Sequence, residues 1–388
     1  MIALSGADIV LPDRVLSNHS ILISGGLIEA IAPADTDARS GVDVVDLSGH
    51  VIAPGFIDVH VHGVEGCDVL EDADAVGRVA ARLPRFGVTA FCPTSVACTP
   101  GRLKMLLLAV TAAGESALPA ARVLGAHLES NFINPEWKGA QPPTCLRLPF
   151  TSDGEGFSGA DILRVIRDHR AAVAIVTMAP ELPNGIALVR ELVALGIRVS
   201  IGHSGATYEH ATAAIEAGAR HATHLFNRMS SMTSRAPGVV GAVLESPLVT
   251  AEVICDGVHV HRALLTTAIR AKSIDRIVAI TDGTAAAGLP PGSRAKLGDH
   301  TIIAGERTAL LEDGTLAGSV LTMDGAFRML IDLGHTLPEA SRMCSTTAAL
   351  ALGADDTGAI AAGKRADLVI MSRDLRVKQT YVGGRLIS

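Results

Sequence analysis

Short runs of β-branched and apolar residues recur along the middle of the chain, with amphipathic stretches rich in Ala, Leu and Arg between them. The runs cover residues 56–62, 88–95, 123–129, 172–179, 197–204, 221–227, 250–256 and 276–282. Eight such runs alternating with helices predict an α/β fold, a closed parallel (β/α)8 barrel of the TIM type. An open doubly wound sheet is the alternative, but it would normally carry a glycine-rich phosphate-binding turn after its first strand, and the sequence shows none there.

The two ends of the chain have a different pattern. Residues 1–52 and 366–388 consist of short apolar segments broken by Gly, Pro and Asn, which predict short strands. Neither end offers enough apolar surface to fold alone. We therefore expect a small β-sandwich domain built from residues 1–53 and 359–388, and a barrel formed by residues 54–358. Residues 284–318 are punctuated by Gly and Pro and predict a hairpin or lid inserted after the eighth strand.

The composition limits the classes of protein to which the chain can belong. Its 388 residues are 48% hydrophobic, which provides for a large buried core and excludes disorder of the bulk of the chain. A net charge of −7 without any basic run argues against nucleic-acid binding. Six scattered cysteines without CxxC spacing exclude a disulfide scaffold and fit buried thiols in a reducing compartment. Without a signal-peptide pattern or an apolar run long enough to span a bilayer, we expect a soluble, cytoplasmic protein with no membrane partner.

Polar side chains that can bind metals accumulate where the predicted strands end. They are His60, His62, Glu129, His203, His224 and Asp282. The carboxyl ends of barrel strands build the active site of this fold, and the two imidazoles of an HxH sequence point to the same face of a strand. One such residue alone is more often a structural cap or a satisfied polar group, but six at the same end favour a shared site. Imidazole and carboxylate ligands suit Zn²⁺, Fe²⁺ or Mn²⁺. His127 and His221 are better interpreted as structural or supporting groups.

Several motifs then resemble a known family. PGFIDVHVHG (54–63) and AAGKRADLVIM (361–371) resemble signatures of the amidohydrolase superfamily, whose members are metal-dependent barrels that hydrolyse amides and related bonds. Other motifs resemble the N-acetylglucosamine-6-phosphate deacetylase family, namely HLES (127–130), SIGHS (200–204), THLFNRMS (223–230), DGVHV (256–260), ITDGTAAAG (280–288) and SVLTM (319–323). The resemblance covers essentially the whole chain, in the same order.

The resemblance implies a role for each matching position. Glu129, His203 and His224 would hold the principal metal, with Glu129 able to bridge to a second ion at His60 and His62. Zinc is the first expectation, with iron, manganese or cobalt as alternatives, and one or two ions per subunit. Asp282 would be the general acid and base. The residues that would bind the sugar phosphate are Asn227, the backbone at Arg228, His259 and Arg235, the last donated by the neighbouring subunit of a homodimer.

The sequence also departs from the family pattern at the substrate side. Ser130-Asn131 stand where a Gly-Pro pair is usual, and Arg228 stands where a small residue is usual. In the Lys138-Gly139-Ala140-Gln141 motif, Gln141 replaces a histidine that contacts the substrate. The resemblance therefore implies a deacetylase of N-acetylglucosamine 6-phosphate, with three alternatives. These are an epimeric or differently acylated amino sugar such as N-acetylgalactosamine 6-phosphate, a cyclic amide or N-acyl amino acid, and a metal-stabilised binding protein, which retention of Asp282 argues against.

Overall fold

A parallel barrel forms the body of the computed structural model, which describes residues 1–34, 41–116 and 119–388. Within these residues the barrel strands are Phe56–Val61, Val88–Ser95, Ala126–Glu129, Val173–Met178, Arg198–Ile201, His221–Ala222, Thr250–Ile254 and Ile277–Ile280. Each of these strands pairs with the next in parallel register. A short strand, Arg122–Val123, precedes the third barrel strand and also pairs with the second. The predicted (β/α)8 barrel is confirmed.

The barrel closes where its first and eighth strands meet. Val61 bridges to Gly283, and the amide of Asp282 donates to the carbonyl of His60 at 3.0 Å. One layer lower, the hydroxyl of Thr281 donates to Asp58 Oδ2 at 2.5 Å. Burial raises the pKa of Asp58 to about 7, because a charged carboxylate is costly in the barrel interior. These contacts hold the strand ends that carry His60 and Asp282 side by side.

Helices alternate with the barrel strands. In the described residues they are Ala75–Arg82, Pro100–Glu115, Gly159–Asp168, Gly185–Ala194, Tyr208–Glu216, Gly238–Glu245, Arg262–Lys272, Met323–Asp332, Leu337–Ser341 and Thr347–Leu352. Short 3-10 turns cover Leu83–Phe86, Pro135–Trp137, Pro143–Cys145, Arg170–Ala172 and Ile274–Arg276, and one π turn covers Arg342–Thr346. The helix of residues 185–194 ends just before Gly196, whose φ of 79° is a left-handed value that glycine adopts without strain.

Two sheets outside the barrel are built from the ends of the chain. A four-stranded sheet contains Ile2–Ser5, His19–Ser24, Leu27–Pro33 and Asp43–Asp46. A six-stranded sheet contains Asp8–Val10, Val15–Leu16, His50–Pro54, Leu368–Ser372, Val377–Val382 and Arg385–Leu386. Side chains from both sheets, including Leu4, Ile52 and Leu368, share one buried cluster. The predicted small β-sandwich from both termini is therefore confirmed, while the boundaries at residues 53/54 and 358/359 stay a prediction.

An inserted sheet follows the eighth barrel strand. Its antiparallel strands are Arg294–Leu297, His300–Ala304 and Ala309–Leu311, within the segment for which the sequence predicts a hairpin. A second small hairpin pairs Gly63–Val64 with Cys67–Asp68 directly after the first barrel strand. Leu297 of the insert and Leu316 just beyond it line the cavity at the mouth of the barrel. The insert thus forms part of the wall of that cavity.

Two further features bear on the surroundings of the protein. All six cysteines lie in the described ranges and carry free thiols, and five of them are buried. Among the described helices, none combines the length and the apolar character needed to cross a membrane.

Candidate active site

A cavity of about 510 Å³ opens at the carboxyl ends of the barrel strands, where this fold places its active sites. It brings together ten of the residues singled out from the sequence, namely His62, Glu129, Ala140, Gln141, His203, His224, Asn227, Arg228, His259 and Asp282. His60 lies just beneath them and is fully buried. The exception is Arg235, which is exposed and is not among the described residues that line the cavity of a single chain.

Three side chains converge on one point at the centre of the cavity floor. Nε2 of His203 and Nε2 of His224 lie 2.7 and 2.9 Å from Oε1 of Glu129. The two imidazole nitrogens are 3.1 Å apart. Three electron-rich atoms aimed at one small volume form a set of donors suited to a divalent cation such as zinc.

A second cluster adjoins the first. Nε2 of His60 lies 3.8 Å from Oε1 of Glu129 and 3.4 Å from Oδ1 of Asp282. Nε2 of His62 lies 3.6 Å from Oε2 of Glu129 and 3.2 Å from the same Asp282 oxygen. Glu129 therefore presents Oε1 to His203, His224 and His60 and Oε2 to His62, so its carboxylate borders both histidine pairs and could bridge two ions.

Hydrogen bonds behind the histidines turn their Nε2 atoms toward the cavity. Nδ1 of His60 donates to Glu252 at 2.9 Å, Nδ1 of His62 to the carbonyl of Thr94 at 3.0 Å, and Nδ1 of His203 to the carbonyl of Trp137 at 2.8 Å. Such outer contacts are typical of metal-binding histidines, since they leave the Nε2 lone pair for the ion. Within the described residues, the buried Nε2 of His60 has no hydrogen-bond partner. The residues present therefore fit a divalent metal.

The backbone is strained where three of these side chains leave their strands. His203, His224 and Asp282 adopt φ values of 48°, 30° and 49°. Residues other than glycine seldom adopt this left-handed conformation, and it costs about 1–3 kcal/mol where it is enforced. Each residue follows a barrel strand by two residues, so the turn ends the strand and directs the side chain over the barrel mouth.

The charges of the cluster keep its carboxylates ionised. Burial opposes ionisation of Asp282, but the charge of His60 and the hydrogen bond from His62 outweigh it and lower the pKa of Asp282. Burial likewise opposes ionisation of Glu129, and the charge of His203 together with hydrogen bonds from His203 and His224 holds its pKa well below the usual range. Asp282 is therefore in the form that can accept a proton at neutral pH.

Three residues that line the cavity carry groups suited to an anion. Nδ1 of His259 donates to Asp256 at 2.6 Å. Burial opposes the cationic form of His259, but the hydrogen bond and charge of Asp256 outweigh it and raise the pKa of His259. Arg228 lies against the 138–141 loop. Its Nε is 2.9 Å from the position that a Cβ atom would occupy on Gly139. Asn227, adjacent to Arg228 in the chain, also lines the cavity.

Gln141 contacts a proposed metal ligand directly. Its side-chain amide donates to Oε2 of Glu129, and its carbonyl oxygen accepts a hydrogen bond from the amide of Ala97 at 2.7 Å. Because the Ala97 contact fixes which end of the amide faces inward, the NH₂ group must face Glu129. Ser130 and Asn131 instead donate to backbone carbonyls of neighbouring segments, Thr177 for the first and Cys98 and Cys145 for the second.

Glu252 is a buried residue of the site that the sequence analysis missed. It accepts hydrogen bonds from His60, His221 and the amide of His224. One signal could have found it, since it is the sole charged residue in the apolar run 250–255, and buried carboxylates are rare unless paired. His127, expected to be structural, donates to the carbonyl of Val59 at 2.9 Å, and burial lowers its pKa to about 3.

Comparison with known proteins identifies the family of the chain. The profile of the amidohydrolase family matches residues 51–387. The chain belongs to the amidohydrolase family. It is accordingly a metal-dependent hydrolase of carbon–nitrogen bonds in amides, and its relatives show membership of the N-acetylglucosamine-6-phosphate deacetylase family.

Relatives match nearly the full length of the chain. The N-acetylgalactosamine-6-phosphate deacetylase of Escherichia coli O157:H7 is 35% identical over 378 residues, 96% of either chain. The N-acetylglucosamine-6-phosphate deacetylase of Bacillus subtilis strain 168 is 34% identical over 384 residues, 97% of this chain and 95% of the relative. Among solved structures, a mutant N-acetyl-D-glucosamine-6-phosphate deacetylase of Mycobacterium smegmatis in complex with N-acetyl-D-glucosamine-6-phosphate superposes with a TM-score of 0.90. That protein is 30% identical, and the match covers 100% of this chain and 99% of the other.

Proposed function

We propose that the protein removes the acetyl group from an N-acetyl amino-sugar 6-phosphate, with N-acetylglucosamine 6-phosphate as its substrate. One observation carries the proposal: four histidines, Glu129 and Asp282 converge on the floor of a cavity that also presents His259 and Arg228. The full-length similarity to deacetylases of this substrate class supports it. The test is an acetate-release assay across phosphorylated and unphosphorylated N-acyl sugars, with metal analysis on the same sample. Turnover of no amino-sugar phosphate would contradict the proposal.

Five side chains are assigned to the metal. Glu129, His203 and His224 would hold the principal ion, and His60 and His62 would hold a second with Glu129 as a bridge. Zinc fits the imidazole-rich ligand set, with iron, manganese or cobalt as alternatives. A divalent ion in this position supplies Lewis-acid polarisation of the acyl carbonyl and acidification of a water molecule.

Asp282 is assigned the proton transfers. Its ionised carboxylate would accept the proton of the attacking water and then deliver that proton to the nitrogen of the leaving amine. The position of Asp282 at the edge of the cavity floor, within reach of both His60 and His62, supports this role. Gln141 and Ala140 would lie along the acyl group, with the Gln141 amide near the developing negative charge.

The sugar phosphate is assigned to a further set of residues that line the cavity. Asn227, the backbone at Arg228 and the imidazole of His259 would contact it. Arg235 would complete the site from the second subunit of a homodimer, since a planar guanidinium can make two parallel bonds to a phosphate. Its exposure in the single chain leaves the side chain available to a neighbouring copy.

Arg235→Ala is expected to raise KM for phosphorylated substrates by about 10–100-fold, the equivalent of one or two charge-assisted hydrogen bonds. Unphosphorylated substrates should be nearly unaffected, because they lack the group that Arg235 binds. Steady-state kinetics with both substrate classes measure the effect, and Arg164→Ala, at an exposed arginine paired with Asp161, is the control. A protein that is strictly monomeric by light scattering and fully active would contradict the shared site.

A second candidate substrate is N-acetylgalactosamine 6-phosphate. Gln141 favours it, because this residue departs from the family pattern at the acyl side, and a relative similar over 96% of the chain carries that specificity. A neutral amide cannot supply the charge of an imidazolium, and charge-assisted hydrogen bonds are about twice as strong as neutral ones. Arg228 or the Ser130-Asn131 pair would then compensate for the charge that Gln141 lacks.

Gln141→His is expected to shift the ratio of kcat/KM values between the gluco and galacto substrates toward the gluco substrate. The measurement is kcat/KM for both epimers in the wild type and the variant, with Gln379→His in the terminal sheet as the control. A wild type that strongly prefers the gluco substrate, with an unchanged ratio in the variant, would rule out Gln141 as a specificity determinant.

The cellular compartment and the division of the chain into domains are also proposals. Its free thiols fit a reducing compartment, and we assign it to the cytoplasm. The barrel of residues 54–358 would carry the chemistry, and residues 1–53 and 359–388 would form the supporting small domain.

A further inference from the structure

The carboxylate of Glu252 lies behind the proposed metal ligands and contacts one histidine of each proposed metal position. The side chain is fully buried on the seventh barrel strand. Its Oε2 accepts hydrogen bonds from Nδ1 of His60 at 2.9 Å and from the amide of His224 at 3.2 Å. Its Oε1 accepts a hydrogen bond from Nε2 of His221 at 2.9 Å. Three donors therefore share two carboxylate oxygens.

The bond to His60 determines which nitrogen of that ring faces the cavity. Because Nδ1–H is donated to Glu252, the neutral ring has its Nε2 lone pair on the cavity side, 3.4 Å from Asp282 and 3.8 Å from Glu129. A carboxylate behind a ligating histidine fixes both its tautomer and its ring orientation. His60 and Glu252 are 192 residues apart in the chain, so this contact exists only in the closed barrel.

Hydrogen bonds to Glu252 also stabilise the strained turn that follows the sixth barrel strand. His224 has a φ of 30°, an unfavourable value for a residue with a side chain. Glu252 holds this turn twice, through its side chain to the amide of His224 and through its backbone carbonyl to the amide of Leu225 at 2.8 Å. In that conformation Nε2 of His224 lies 2.9 Å from Glu129.

A metal bound by Glu252 itself is not favoured by the surrounding contacts. Glu252, His60 and His127 are close enough together to hold an ion. However, Nδ1 of His127 donates to the carbonyl of Val59, and its Nε2 is paired with the hydroxyl of Thr177 at 2.7 Å. Since Nδ1 of His60 is also a donor, neither histidine turns a free lone pair toward Glu252. The cluster is a hydrogen-bonded support.

We propose that Glu252 is the positioning residue of the metal centre. Its carboxylate orients His60 by accepting a hydrogen bond from Nδ1 of that ring, and it orients His224 by accepting one from the backbone amide of His224. The proposal rests on the metal ligands of the proposed function. It assigns Glu252 no contact with the metal or the substrate. Its effect is on the affinity of the site for the ion, because both histidines must be held with Nε2 forward before the ion binds.

Glu252→Gln tests the proposal with almost no change of shape. An amide has one acceptor oxygen, and that oxygen is neutral, so the variant side chain holds the donors of His60 and of the His224 turn less strongly than the carboxylate does. Apoprotein is titrated with Zn²⁺ in competition with a chromogenic chelator. Fluorescence provides a second readout, because the one tryptophan, Trp137, accepts a hydrogen bond from His203 and lines the cavity. The variant is expected to bind zinc about 10–100-fold more weakly.

Asp367→Asn is the matched control. Asp367 is a buried carboxylate that also accepts three hydrogen bonds, from Thr357, Arg365 and the amide of Gly383, but it lies in the terminal sheet region and supports no ligand. It is expected to lower thermal stability and to leave zinc affinity unchanged. The proposal would be overturned if folded Glu252→Gln bound zinc as tightly as the wild type. It would also be overturned if Asp367→Asn lost as much zinc affinity as Glu252→Gln.

A measurement on the unmodified protein covers the case in which the variant does not fold. In a crystal structure of the zinc-loaded wild type, His60 should bind zinc through Nε2 and keep Nδ1 within hydrogen-bond distance of Glu252. A ring rotated away from Glu252, or wild-type protein that binds no zinc, would overturn the proposal. Wild-type protein that binds zinc but deacetylates no amino-sugar phosphate would contradict the proposed function and leave this result standing, since zinc binding is measured without substrate.

Discussion

Asp282→Asn is expected to lower kcat by about 10²–10⁴-fold, the usual contribution of general acid–base catalysis, while metal content stays near that of the wild type. Asparagine keeps the size and shape of the side chain but cannot accept a proton at its amide. In the wild type, Oδ1 of Asp282 lies 3.4 Å from His60 and 3.2 Å from His62, at the edge of the cavity where water and the leaving amine would both be in reach.

Metal analysis and turnover on the same preparation distinguish this role from a structural one. The strained turn at Asp282, with φ of 49°, tolerates asparagine better than most residues, so the variant should fold. A loss of less than tenfold with full metal content would identify Asp282 as a turn residue. Loss of metal together with activity would assign it to the metal ligands instead.

The sequence pattern located the barrel strands well but extended several of them too far at their carboxyl ends. The sixth run was predicted to cover residues 221–227, whereas the strand is His221–Ala222. The eighth was predicted to cover 276–282, whereas the strand is Ile277–Ile280. In both cases the strand ends just before a residue with positive φ, His224 or Asp282. Hydrophobicity cannot reveal this, because the turns are imposed by the tertiary contacts that direct the side chains over the mouth.

The supporting contacts of the site were beyond the reach of the sequence for a related reason. Motif resemblance pointed to Gln141 as a residue on the acyl side of the substrate, but not to its bond with Glu129, which depends on how the 138–141 loop packs against Ala97. Glu252 could be suspected from its place in an apolar strand, yet its partner His60 belongs to a strand at the other end of the barrel sequence. Such pairings follow from closure of the barrel, which the periodicity of the chain predicts only in outline.

The terminal sheets were easier to predict, because their evidence is local. Short apolar segments, each bounded by Gly, Pro or Asn, are typical of a small sheet of short strands wherever they occur. The adjacency of the two ends also has a simple cause. The strand Leu368–Ser372 pairs with His50–Pro54, the strand that leads into the barrel, so the chain must return to its beginning once the barrel is complete.

His203→Asn is expected to remove the principal metal and abolish turnover. Nε2 of His203 lies 2.7 Å from Glu129 and 3.1 Å from Nε2 of His224, so it supplies one of three donors around the ion. Asparagine is too short to place an atom there, and its amide is a poor ligand for zinc, which binds imidazole and thiolate nitrogen and sulfur most readily. The loss of affinity should exceed the roughly 10–100-fold that follows from removing a hydrogen bond behind a ligand.

Elemental analysis of purified protein, with turnover measured before and after addition of excess zinc, checks this expectation. His210→Asn, at an exposed position near the start of the helix of residues 208–216, is the matched control and should keep both metal and activity. Partial recovery of activity by excess zinc would still fit a weakened site, because binding follows mass action. Full metal content and full activity in His203→Asn would show that Glu129 and His224 do not need this histidine, and would move the principal metal to the His60 and His62 side of Glu129.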